Sequence, residues 1–161
     1  MRLSVIDLGS NSVRMSIFEE QLGSVPKTLA SYRKATGLSR GMTEDMKLKT
    51  EAQMCAISAL LEFKKINEEW RPQKTIAVAT AAVRKAKNRD EFLTLVKNTC
   101  GFEIEVIDGQ REAALDALAI NRILGCSRGV ICDIGGGSTE LVGLGDVGGS
   151  VSIPYGSRGI T

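Results

Sequence analysis

Histidine is absent from this chain of 161 residues. That excludes imidazole general bases, Ser–His triads and His-ligated zinc. Aromatic residues make up 4%, too few for a platform on which nucleic-acid bases would stack. Neither sign of charge dominates. Twenty-one cations (21) face 19 anions, a formal net charge of +2, and non-specific nucleic-acid binding needs a larger excess. No apolar run approaches the ~20 residues that span a bilayer. The N-terminus carries no basic stretch followed by a long apolar one, the mark of a secretory leader. The cysteines, Cys55, Cys100, Cys126 and Cys132, form no CxxC pair and no zinc spacing. The expectation is a cytoplasmic protein with buried, reduced thiols and neither a nucleic-acid nor a membrane partner.

Glycine is plentiful instead, with 17 residues that cluster. The chain is 43% hydrophobic and 25% charged, a balance that suits a folded domain needing no disulfide staples. Leu3, Val5 and Ile6 open a strand that stops at Asp7. Val13, Met15 and Ile17 alternate with Arg14, Ser16 and Phe18, the period of a second strand. A third includes Leu29 and Tyr32. Residues 36–47 read as a loop. Ala52, Cys55, Ala59, Phe63, Ile66 and Trp70 then recur at steps of three and four, predicting a helix over 49–70 that Arg71-Pro72 ends. Thr75–Thr80 reads as a strand buried on both faces. A short helix follows from Ala81, and Asn88 with Glu91 has the capping-box spacing of another. Glu103–Ile107 is a strand. Gln110–Leu124 is a helix with Ala113, Ala117, Ile120 and Leu124 on one face, stopped by Gly125. Strands over 130–134, 139–144 and 147–153 complete the chain. Helices between strands imply parallel crossovers added to an opening meander, hence a mixed α/β sheet.

The chain repeats itself. Val5-Ile6-Asp7-Leu8-Gly9-Ser10-Asn11-Ser12 resembles Ile131-Cys132-Asp133-Ile134-Gly135-Gly136-Gly137-Ser138. Each copy runs from an apolar strand through Asp, apolar, Gly and a small polar loop to Ser. Such a repeat fits the starts of two related domains, here residues 1–125 and the opening strands of a second over 126–161. Glycine and small polar residues permit tight turns whose amides converge on phosphate oxygens. An aspartate before each loop can hold Mg²⁺, directly or through water. Two such loops would clasp a polyanion and its metal. One loop alone reads as well as an ordinary hairpin turn, but ordinary hairpins need not repeat Asp, Gly and Ser together, so the matched pair favours the phosphate loops.

The segments IDLGSNSVRM, VATAAVRKAKN, EVIDGQREA, DIGGGSTELV and IPYGSRGIT follow in order. Together they resemble the exopolyphosphatase/guanosine pentaphosphate phosphohydrolase family, of the ribonuclease-H-like, actin-like ATPase superfold. The resemblance implies a Mg²⁺-dependent hydrolase acting on inorganic polyphosphate or guanosine pentaphosphate. It makes Gly9, Ser10, Asn11 and Ser12 one phosphate loop and Gly135, Gly136, Gly137 and Ser138 the other. Asp133 would bind the metal, with Glu140 facing it and Asp7 helping through water. Glu112 matches the family's catalytic glutamate, the residue that orients and partly deprotonates the attacking water. Without the family it reads as a first-turn carboxylate favouring a helix dipole. The family's usual second acid is here Arg111, a cation that should lower the Glu112 pKa.

Arg14 and Arg84 match family arginines and would fork onto phosphate oxygens. The run Arg84, Lys85, Lys87, Arg89 is either a polyphosphate track or a solvated helix face. An ATPase or sugar kinase of the same superfold is a second reading, and a non-catalytic nucleotide- or phosphate-binding module a third. Unpaired strand edges in the short second part predict self-association, a homodimer included.

Overall fold

The computed structural model describes residues 1–40 and 42–157. The chain divides into two compact units, Met1–Val106 and Ile107–Thr161.

The first unit is built on five strands: β1 (Arg2–Leu8), β2 (Ser12–Glu19), β3 (Lys27–Ala35), β4 (Lys74–Ala79) and β5 (Glu105–Val106), in the order β3-β2-β1-β4-β5. The meander β1–β3 is antiparallel, while β4 and β5 run parallel to β1. The helices are α1 (Thr50–Trp70), α2 (Ala81–Lys85) and α3 (Arg89–Cys100). Alternation places the core: Val13, Met15 and Ile17 on β2 and Ile6 and Leu8 on β1 are fully buried and cluster with Leu60 and Phe63 of α1. Each such side chain contributes about 1.5–3 kcal/mol by leaving water.

Three expectations need correction here. The buried stripe of α1 is Ala52, Ala56, Ile57, Ala59, Leu60 and Phe63. Of the expected stripe Ala52, Ala59 and Phe63 are buried and Ile66 and Trp70 half-buried; Cys55 faces solvent at its edge, and Ala56, Ile57 and Leu60 complete the buried face instead. Strand β4 is not buried on both faces: Ala77 and Ala79 are buried, while Ile76 and Val78 are half-buried. The thiols are mostly exposed, with Cys100 alone buried among the four, and burial pushes the Cys100 thiol up from its ordinary pKa.

Asn88 forms no side-chain cap on α3. Its amide instead brackets the Leu48 backbone: Oδ1 accepts from the Leu48 N–H at 2.9 Å, and Nδ2 donates to the Leu48 carbonyl at 3.1 Å. Long-range backbone satisfaction has displaced the local cap.

The second unit holds α4 (Gly109–Leu124) and an antiparallel sheet β6-β7-β8, with β6 Gly129–Ile134, β7 Thr139–Leu144 and β8 Ser150–Ile153. Asp108 caps α4, its carboxylate accepting from the Arg111 N–H at 2.7 Å, and Gly125 ends it at φ 64°. The expected boundary after residue 125 grouped this helix with the strands before it. By packing it groups with β7 and β8, so the division falls before Ile107. Of its expected stripe, Ala113 is buried, Ala117 and Ile120 are half-buried and Leu124 is exposed.

Candidate active site

The sequence repeat is also a repeat of geometry. In the first hairpin Leu8 pairs with Val13 and Asp7 with Arg14. In the second, Ile134 pairs with Thr139 and Asp133 with Glu140. The register is the same. So is the reason for glycine: a Cβ on Gly9 would lie 3.1 Å from the Ser12 carbonyl oxygen, and one on Gly135 would lie 3.1 Å from that of Ser138. Close backbone approach makes these positions glycine.

The first loop is fastened from behind. The Gly9 N–H donates to the Ser12 carbonyl at 3.1 Å. The Ser10 carbonyl accepts from the Ser39 N–H at 2.8 Å, and the Asn11 carbonyl from the Thr36 and Gly37 amides at 3.0 Å each. The carbonyls are thus occupied, whereas the amides of Ser10 and Asn11 meet no acceptor among the described residues. Free amides on a turn of small residues form an anion cup. Arg14 leaves the loop on β2 with its side chain exposed. Arg84 is half-buried on α2, which begins where the Thr80 N–H donates to the Leu8 carbonyl at 3.3 Å. Asp7, Arg14 and Arg84 therefore belong to the end of the sheet that carries the first loop.

The second loop is fastened by the chain after β8. The Gly135 carbonyl accepts from the Ser157 N–H at 2.9 Å and the Ser157 hydroxyl at 3.3 Å. Thr139 Oγ1 donates to the Tyr155 carbonyl at 2.8 Å. Gly156 lies against the loop so closely that a Cβ there would sit 2.5 Å from the Gly135 oxygen and 2.6 Å from Gly136 C and Gly137 N. Ser138 is buried.

The rows across the strands differ in charge. Residues directly opposite on neighbouring strands share a face. Across the antiparallel strands of the first unit the row reads Asp7, Arg14, Arg33. In the second it reads Asp133, Glu140, Ser152. Glu140 is 1% exposed. Its Oε1 accepts from Ser152 Oγ at 2.8 Å, and its Oε2 is buried with no partner. A carboxylate oxygen is costly to bury without a donor or a cation. With Asp133 opposite, the pair offers hard oxygen ligands that suit Mg²⁺, an ion that takes few carboxylates and keeps several waters. No group of three or more His, Cys, Asp or Glu side chains converges among the described residues, so a cation here would rest on two carboxylates and water.

Glu112 stands in the first turn of α4, half-buried, its N–H donating to the Asp108 carbonyl at 3.0 Å. Arg111 beside it is exposed. Asp7, the first loop, Arg14 and Arg84 fall in the first unit. Glu112, Asp133, the second loop and Glu140 fall in the second. Sequence reasoning missed Arg33, Ser152 and Gly156. The first two emerge only from strand register, and for β3 that register shifts at a bulge between Ile17 and Phe18. Gly156 was visible inside a motif, but its contact with the loop was not.

The sequence pattern of the Ppx/GppA phosphatase family matches residues 16–161. The chain belongs to that family. It is 35% identical over 143 residues to exopolyphosphatase 1 of Mycobacterium leprae, covering 88% of this chain and 42% of that protein. It is 34% identical over 140 residues to the guanosine-5'-triphosphate,3'-diphosphate pyrophosphatase of Photobacterium profundum, covering 86% of this chain and 28% of that one. The crystal structure of an exopolyphosphatase from Cytophaga hutchinsonii superposes with a TM-score of 0.90 at 29% identity, over 99% of this chain and 52% of its own. The chain thus spans less than half the length of these curated relatives. The mixed sheet is that of the actin-like ATPase superfold.

Proposed function

We propose that this chain carries phosphate- and cation-binding parts of a hydrolase that releases terminal phosphate from inorganic polyphosphate or guanosine pentaphosphate. The observation that carries the reading is the pair of hairpins with one register, one glycine constraint and opposite charge. The relatives named for these two substrates support it.

In this reading Gly9, Ser10, Asn11 and Ser12 hold phosphate oxygens through backbone amides, and Arg14 and Arg84 add guanidinium forks. Gly135, Gly136, Gly137 and Ser138 do the same on the second hairpin. Asp133 and Glu140 hold Mg²⁺, with Asp7 contributing through water. Bound there, the ion would neutralise phosphate-oxygen charge, the main demand of phosphoryl transfer. Glu112 aligns a water on the terminal phosphorus and takes its proton as the new O–P bond forms. The bridging P–O bond breaks, and its electron pair leaves with the shortened chain.

The test is phosphate release from polyphosphate and from guanosine pentaphosphate with Mg²⁺, comparing the intact protein with Glu112→Ala. The expected loss is about 10²–10⁴-fold, the usual contribution of a positioned general base. Equal turnover by both proteins removes Glu112 from the chemistry. Absence of turnover in both would favour a binding module.

A further inference from the structure

Arg33 is exposed on β3, the edge strand of the five-stranded sheet. Directly opposite on β2 is Arg14, so two guanidiniums share one row and one face. Like charges directly opposite each other destabilise a sheet. Asp7, across β1, is the carboxylate nearest to them in that row, and Glu105 of β5 lies two strands further on. Among the described residues neither arginine forms an ion pair. The next residue, Lys34, points to the opposite face and is paired with Glu62 of α1 at 2.6 Å. The strand thus neutralises the cation on its helix-covered face and leaves the one on its open face.

Arg33 is also tied to the first loop. Its Nε donates to Ser12 Oγ at 3.1 Å. Ser12 closes the loop whose free amides form the anion cup. This bond fixes the guanidinium beside the cup and leaves the terminal amino groups of its fork without a described partner. From the cup, the row of Arg14 and Arg33 runs outward to the sheet edge. Neighbouring strands are about 4.8 Å apart, so a second fork lies one strand beyond the first.

We infer that Arg33 contacts a second phosphate of the bound ligand, next to the one held by the loop, and so favours anions with several consecutive phosphates over a single phosphate. This rests on the phosphate-binding reading of the Gly9–Ser12 loop. A lone phosphate fills the cup and needs one fork. A linear chain of phosphates continues along the row and engages both.

The test is calorimetric titration of the intact protein with inorganic orthophosphate and with tripolyphosphate, in a Glu112→Ala background so that the ligand is not consumed. Arg33→Gln is expected to weaken tripolyphosphate at least about tenfold, as a lost charge-assisted bond does, and to leave orthophosphate within about twofold. Lys34→Gln, which removes the same charge from the other face, is expected to change neither. Equal loss in Arg33→Gln and Lys34→Gln would reduce the effect to net charge and overturn the inference. Equal weakening of both ligands would confine Arg33 to holding Ser12, and no weakening would dismiss it. If Arg33→Gln does not fold, Arg33→Lys decides: severalfold weaker tripolyphosphate binding supports the second contact, and unchanged binding refutes it. A parent protein that binds neither ligand would sink the phosphate-loop reading as well. A parent that binds tripolyphosphate with no dependence on Arg33 would sink this inference alone.

Discussion

Exchanging Glu140 for glutamine probes the second hairpin while keeping the side-chain shape. The carboxylate is 1% exposed, receives one hydrogen bond from Ser152 and leaves Oε2 unpartnered. Asp133, of the same charge, stands opposite. An unsatisfied buried polar atom costs about 1–3 kcal/mol, and the like-charge neighbour adds to that. Glutamine keeps an oxygen for Ser152 and turns the repelling oxygen into an amide that can donate to Asp133. Without divalent cations, Glu140→Gln is expected to stabilise the protein by ~1–2 kcal/mol. One kcal/mol raises Tm by about 4–8 °C in a domain of this size class. Magnesium should reverse the order. A cation at a hundred times its Kd stabilises its site by about 2.7 kcal/mol, and a hairpin with one carboxylate loses most of that. Scanning calorimetry in EDTA and in magnesium chloride reads both effects. A lower Tm for Glu140→Gln in EDTA, or an equal magnesium-induced rise in both proteins, would refute the assignment.

Three other outcomes are expected. Gly156→Ala forces a Cβ to within 2.6 Å or less of three backbone atoms of the second glycine loop, so it should cost about 1–3 kcal/mol, as overpacking does; an unchanged thermal melt would show that the loop yields freely. At Cys100, burial raises the thiol pKa, so near neutral pH alkylating reagents should label Cys55, Cys126 and Cys132 well before it. The same shift sets a pH dependence. Above the unfolded thiol value of about 8.5 the unfolded chain loses its proton first, so stability falls as pH rises toward the folded value. Urea titrations between pH 8 and 10 should show this slope flattened in Cys100→Ala, and an identical slope would refute it.

Periodicity and punctuation made much of the fold legible. The alternation of Val13, Met15 and Ile17 placed β2 and its buried face, and Gly125 marked the end of α4 in the left-handed conformation glycine favours. Where reading failed, a distant contact had won. Cys55 fits a stripe of steps three and four as well as Ala56 does, and the helix rotation that chooses between them is set by the sheet beneath. Asn88 carries a capping signature, yet its amide is taken by the Leu48 backbone. For the candidate site, the two loops stood out because short motifs repeat. Arg33 and Ser152 did not, because each joins its row only through pairing with a strand that sequence cannot align.

Because the two hairpins share a register, the residue facing each aspartate sets the charge of its row: arginine opposite Asp7, glutamate opposite Asp133. If both turns seat phosphate oxygens as proposed, that one difference would add a cationic grip beside the first and room for a metal ion beside the second. One backbone design, used twice, would then need a single side chain to divide the labour.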